Sequence, residues 1–223
     1  MDYIKFIAEN ENYRKDMITR LIYHSNKIEG TTLSLGETAV LLWEKNSKVK
    51  ASAREVFDVV NHKRAIDYLL KTIDDPLSEN IIKNIGIIIN SSINDISGYR
   101  KTKIVIIGSK SIPAPPAQVP QLMYQVLEQY AHFVQDKTIA PVEREAWFHI
   151  QFEGIHPFED GNGRTGRLLM LRGLLKNNIP PVIISSDERA HYIDVMNAKD
   201  KEALMKLISD ACENEHERID ATV

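Results

Sequence analysis

His156-Pro157-Phe158-Glu159-Asp160-Gly161-Asn162-Gly163-Arg164-Thr165-Gly166-Arg167 packs four kinds of chemistry into one short stretch. A histidine can take a proton near neutral pH. A carboxylate four positions later suits a hard divalent cation. Gly-Asn-Gly lets backbone N–H groups approach an anion without obstruction from Cβ atoms. Two arginines at i, i+3 follow in what reads as the first turn of a helix and share one face. A base, a cation ligand, an anion-binding turn and two guanidinium groups describe a site that moves part of a nucleotide onto a group that loses a proton.

The flanks of this stretch decide the fold. Pro141 opens a helix through Ala146, Trp147, Phe148, Ile150 and Phe152 to Ile155. A helix starting near Arg164 runs on through Leu168 to Leu175, apolar nearly all round, until Asn177-Asn178-Ile179-Pro180-Pro181 breaks it. The turn therefore joins two buried helices. Helical spacing recurs upstream over Tyr13–Glu29, with Gly30 as its stop, and after the capping-box pattern Ser34-Leu35-Gly36-Glu37. It recurs again over Ala53–Ile73, from Ser78 to about Asn90, and over Pro120–Val134. Two shorter helices, roughly Asp187–Met196 and Lys199–Asn214, close the chain. The isoleucine-rich run from Ile81 to Ile89 could be argued as strand, but its length and the Ser78 cap favour a buried helix.

One segment departs from this pattern. Lys103-Ile104-Val105-Ile106-Ile107-Gly108 is the best strand candidate, and Ser109-Lys110-Ser111 could turn it back as a hairpin before Pro113 to Pro116. The basic cluster Arg100, Lys101 and Lys103 reads equally well as a solvated strand edge or as a recognition patch. With no repeat, low-complexity tract or long linker, the expectation is one all-α domain over 1–223: a helical bundle core with a small β-hairpin flap.

Composition limits the function. At 43% hydrophobic and 26% charged residues the chain is ordinary for a soluble globular protein. A net charge of -3 supplies no global basic field, so no nucleic-acid partner is expected. A single cysteine, Cys212, excludes an intramolecular disulfide and fits a reducing compartment. The N-terminus lacks a signal-peptide pattern and no apolar run is long enough to span a membrane, so a cytoplasmic location without a membrane partner is expected. Phosphate-loop, dinucleotide-fold and kinase signatures are missing, as are His-Glu-x-x-His and Cys-x-x-Cys zinc patterns. A phosphate site here belongs to a different architecture. His149, seven residues before His156, reads as a structural histidine.

The central stretch matches without a gap the signature of the Fic family, His-x-Phe-x-Asp/Glu-Gly-Asn-Gly-Arg-x-x-Arg, and the chain resembles that family from about Ser25 to the last helix. The resemblance implies a helical core with a β-hairpin flap and transfer of AMP from ATP to a Ser, Thr or Tyr hydroxyl, releasing pyrophosphate. The acceptor would be a target protein or the chain itself. It implies that His156 is the general base and Asp160 the ligand for Mg²⁺ or Mn²⁺. Gly161, Asn162 and Gly163 would form the α/β-phosphate cradle, with Arg164, Thr165, Gly166 and Arg167 continuing the nucleotide site. Phe158 would anchor the loop from the core. Val105, Ile106, Ile107 and Gly108 resemble the flap, and Tyr192 and Asn197 resemble residues around the nucleotide. Ser25-Asn26-Lys27-Ile28-Glu29-Gly30 fits the family's inhibitory pattern, with Ser25 and Glu29 on one helical face. The resemblance therefore implies an inhibitory helix at about 13–30, a catalytic core at about 79–214, and a Glu29 that pairs with Arg167. The phosphate-transferring branch of the family departs from Gly-Asn-Gly and is disfavoured. Removal of AMP by the same fold, and a nucleotide-binding regulator of negligible turnover, stand as alternatives. A homo-oligomer is left open.

Overall fold

A computed structural model describes residues 1–44, 48–105, 112–137 and 139–222. Ten α-helices account for most of it: α1 Tyr3–Glu9, α2 Glu11–Ile28, α3 Leu35–Trp43, α4 Ala53–Lys71 and α5 Glu79–Asn90, then α6 Val119–Asp136, α7 Pro141–Ile155, α8 Asn162–Lys176, α9 Arg189–Ala198 and α10 Lys201–Asp220. Single 3-10 turns at Pro116–Gln118 and Ser186–Glu188 lead into α6 and α9. The start signals are those that the sequence offers. Ser34 and Ser52 both close reciprocal capping boxes, with Glu37 and Glu55. Ser78 caps α5 through the Ile81 amide, and the disputed isoleucine run is helical. The short helix α1 has too little periodicity to be legible in advance; Asp2 caps it, and Tyr3 and Ile7 bury its inner face.

The centre of the bundle is α8. It packs on α7 along its length and also touches α5, α4, α2 and α1. Leu168 to Leu171, Leu174 and Leu175 are all buried, which is why the helix lacks a polar stripe. The N-terminal helix α2 lies across α3, α4 and α8. It is fastened to the far end of the chain by the Arg20–Glu215 ion pair at 2.7 Å, and to α3 by the Trp43 indole, which donates to Thr19 Oγ1 at 2.8 Å. No helix among the described residues is long and apolar enough to cross a membrane.

The first correction concerns only the described part of the expected β-hairpin. Lys103, Ile104 and Val105 carry no strand pairing, and no strand occurs among the described residues; Ile106, Ile107 and Gly108 lie outside them. A β-branched run reads as strand on propensity, but a strand exists only where a partner supplies its ladder.

The basic cluster beside it is a second correction. Lys101 and Lys103 are exposed, but Arg100 is buried and belongs to neither a solvated edge nor a recognition patch. Its guanidinium donates to the carbonyls of His156 at 2.7 Å, Ile155 at 3.2 Å, Thr102 at 3.0 Å and also Ala114. Its own amide donates to Pro157 O at 2.8 Å. One side chain thus ties both ends of the 102–114 segment to the loop after α7. Arg100→Ala strands several buried carbonyls at once, so a loss of roughly 2–3 kcal/mol is expected. Urea unfolding midpoints, at unchanged slope, read that loss directly.

Candidate functional site

The turn between α7 and α8 lines an open cleft of about 750 Å³, whose other walls come from the end of α2, the start of the 102–114 segment and one face of α9. His156 caps α7 in the left-handed region (φ 54, ψ 65), an uncommon conformation for a non-glycine residue. Its amide still closes the last helical bond, to Phe152 O at 2.8 Å, and its ring lines the cleft. Phe158, fully buried against the rings of Tyr99 and Phe152, pins the following loop to the core.

Asn162 shapes that loop. Its side-chain oxygen accepts the Phe158 amide at 2.8 Å and its side-chain nitrogen donates to the Phe158 carbonyl at 2.9 Å. The Asn162 side chain is therefore committed to the loop, and backbone is left for an anion. Gly161 enters α8 at φ 75, and among the described residues no acceptor bonds the Asn162 and Gly163 amides. Free amides at the positive end of a helix form an anion site.

Arg164 and Arg167 part company. Arg164 is buried and pairs with Asp58 of α4, with Asp160 Oδ1 at 3.6 Å, and it does not line the cleft. Residues at i, i+3 are offset around a helix, and a carboxylate on the neighbouring helix has drawn this one inward. Thr165 and Gly166 also face inward: Thr165 is fully buried, and Gly166 lies against the His149 ring. Arg167 does line the cleft. Its Nε donates to Ser25 Oγ at 2.9 Å and its Nη2 to Ser25 O at 3.0 Å and to Glu29 Oε1 at 2.6 Å. Burial works against its charge, but Glu29 and Tyr192 carry its pKa above the ordinary arginine value.

Glu29 follows the last turn of α2 and crosses onto the start of α8. A Cβ on Gly163 would stand 2.3 Å from Glu29 Oε1 and 3.0 Å from Arg167 Nη1, so only glycine lets that carboxylate lie over the turn. The acid thus lies over the glycine turn and pairs with its arginine as well. Arg189, at the start of α9, donates to Ile28 O at 2.6 Å and fixes the residue before Glu29.

Asp160 stands at the cleft rim, 36% exposed. Its Oδ1 accepts the Gly161 amide at 2.6 Å, while Arg54 and Asn94 donate to Oδ2. Burial would raise its pKa, but Arg54, Arg164 and the Gly161 amide bring it below the ordinary carboxylate value. Glu159 also borders the cleft, and its Oε1 accepts from Thr102 Oγ1 at 2.9 Å. Tyr192 is buried under the Arg167 guanidinium, its hydroxyl 2.7 Å from His149 Nε2; Asn197 lines the same wall. Val105 lines the opposite wall and is 88% exposed.

The cleft thus brings together His156, Asp160, the Gly161–Gly163 turn, Arg167, Tyr192, Asn197, Val105 and Glu29, and leaves out Arg164, Thr165 and Gly166. Sequence reasoning missed Arg54, Asp58, Asn94, Arg100 and Arg189. Each lies far along the chain from its partner and carries no local signal. Glu153, one turn before His156 on α7, had a signal in its spacing.

A glycine turn flanked by a histidine and a buried arginine joins two core helices of an all-helical fold. Residues 76–174 match the model of the Fic/DOC family. The stretch from α5 into α8 therefore carries a domain of that family. It is 30% identical to protein adenylyltransferase Fic of Drosophila melanogaster over 211 residues, 90% of this chain and 42% of that protein. Its identity to the protein of the same name in Culex quinquefasciatus is 31% over 207 residues, 89% of this chain and 41% of the relative. The chain therefore spans about two fifths of the length of these curated relatives. Fic-1 from C. elegans superposes with a TM-score of 0.78 at 27% identity, covering 92% of this chain and 63% of that one. A Fic domain containing signaling protein from Bacteroides thetaiotaomicron shares the fold, with a TM-score of 0.77 at 24% identity over 92% of this chain and 84% of that chain.

Proposed function

We propose that this protein is an autoinhibited protein adenylyltransferase, which transfers AMP from ATP to a hydroxyl of a target protein or of itself and releases pyrophosphate. One observation carries the reading: a turn of free amides, a histidine and a buried arginine face one cleft, and an acid from α2 stands on the turn. His156 takes the hydroxyl proton, since an alcohol is a poor nucleophile until its proton leaves. The backbone of Gly161, Asn162 and Gly163 receives the α- and β-phosphates, and Arg167 the outermost one once Glu29 withdraws. Arg164 supports this work indirectly, by fixing Asp160 and α4. Tyr192 and Asn197 border the nucleotide, and Val105 to Gly108 form the segment over which the acceptor arrives.

Asp160 fits a hard cation: it is a half-exposed, ionised carboxylate at the mouth of an anion turn. No group of three acidic, histidine or cysteine side chains that could hold a metal occurs among the described residues, so polyphosphate oxygens and water would complete the shell of Mg²⁺ or Mn²⁺. The cation would neutralise phosphate charge. In this scheme α2 is the inhibitory helix, and residues 79–214 are the catalytic core of a single domain.

ATP labelled at the α-phosphate, incubated with the protein and cell lysate, is the test. Label from the α position is expected to enter protein, and label from the γ position to leave as pyrophosphate. Protein labelled from the γ position would overturn adenylyl transfer in favour of phosphoryl transfer.

A further inference from the structure

Glu153 lies on the cleft wall, one helical turn before His156. Its Oε2 is 3.4 Å from His156 Nδ1, and its main-chain oxygen is 3.3 Å from the same nitrogen. The side chain is 18% exposed, and its Oε1 is shut off from solvent with no hydrogen-bond donor in reach. A carboxylate at the C-terminal end of a helix opposes the helix dipole. Nothing in the stability of α7 explains this one, since it is largely withdrawn from solvent, badly placed for the helix and half unsatisfied. Burial would push its carboxyl up, yet His156, His149 and Arg167 hold its pKa below the ordinary value, so the group stands ionised beside the ring. Tyr192, from α9, faces the same pocket.

We propose that Glu153 is a positioning residue for His156: its carboxylate, with the Glu153 carbonyl, takes the Nδ1–H and leaves the Nε2 lone pair facing the cleft. This rests on His156 being the base of the transfer. A neutral imidazole has one N–H, and the hydrogen bond made by one nitrogen decides which nitrogen can accept a proton. When the acceptor hydroxyl gives its proton to Nε2, the ring carries both protons and a positive charge. Glu153 keeps its own charge, takes up no proton, and stabilises the imidazolium as it forms, as buried carboxylates do behind catalytic histidines elsewhere. The hydroxyl oxygen bonds to the α-phosphorus, the bond from that phosphorus to pyrophosphate breaks, and the ring returns its proton to the medium.

The test combines Glu153→Met, which fills the same space without an acceptor, with Glu153→Asp, which keeps the charge. The first readout is the ¹⁵N spectrum of the His156 ring in the full chain, assigned by its loss in His156→Ala. The Nδ1-protonated tautomer is expected to dominate in the native protein and in Glu153→Asp, and to give way to the Nε2-protonated form in Glu153→Met. In the Glu29→Gly background, kcat is expected to fall about 10²-fold in Glu153→Met with KM for ATP unchanged, and to be largely restored in Glu153→Asp. An unaltered tautomer in Glu153→Met, or an unaltered kcat, would overturn the proposal. Should the Met variant not fold, Glu153→Gln is read by kcat alone, and native-level turnover has the same meaning. A tautomer shift in a protein that labels nothing in any background would keep the assignment of Glu153 and sink the transferase reading instead.

Discussion

Glu29→Gly is expected to raise AMP transfer about 10²-fold, measured as α-phosphate label entering protein. Misplacing a reacting group by about 1 Å costs a factor of that order. In the native arrangement Glu29 Oε1 lies 2.6 Å from Arg167 Nη2 and over Gly163, so under the proposed function a triphosphate would seat with its outer phosphates displaced. Removing the acid frees the guanidinium and the turn together. The fold should hardly notice: Ser25 still takes two hydrogen bonds from Arg167, and an ion pair whose acid is 42% exposed contributes no more than about 1 kcal/mol. The thermal midpoint should therefore stay near native while turnover climbs. Label in neither protein, with nucleotide still bound, would favour a nucleotide-binding regulator.

His156→Ala in that activated background is expected to lower transfer by about 10³-fold, within the range assigned to a positioned base. ATP binding, followed by calorimetry, should stay near that of the parent, because the residues proposed to grip phosphate are backbone amides and Arg167. Among the described residues the ring's hydrogen-bond and ion-pair partners are the Glu153 carbonyl and carboxylate, so its loss strands little else. A parallel fall in nucleotide affinity would show that the ring holds the ligand instead of taking the proton.

Much of this site was legible because its parts are consecutive. His156, Asp160, the glycine turn and Arg167 sit within one helix end, one loop and one helix start, so spacing alone fixes their neighbourhood. The meeting of Glu29 with Arg167 came from resemblance, since no periodicity connects α2 to α8. The illegible parts are long-range. Arg164 looked like a second phosphate ligand until Asp58, more than a hundred residues upstream, was seen to hold it. Arg100 looked like surface charge because a sequence does not reveal that four backbone carbonyls converge on one guanidinium. Asn162 was legible as part of the turn, but not that the loop before α8 uses both ends of its side-chain amide. The helices themselves were readable from caps and apolar spacing; α1 was too short to show a period.

The anchoring of α2 bears on how fast and how completely such a brake could respond. The helix is held at Arg20, Thr19, Ser25 and Ile28, and the acid is the first residue beyond the last of these. Withdrawal then needs rotation about a few side-chain bonds, a picosecond-to-nanosecond event for a half-exposed residue, with no helix to unwind. A hundredfold restraint corresponds to about 2.7 kcal/mol of added barrier. An exposed ion pair supplies less than half of that, so most of the factor would come from phosphates seated out of line and not from the depth of the closed rotamer. The device resembles a dimmer more than a lock: its setting shifts with ionic strength, and rising nucleotide alone would brighten it.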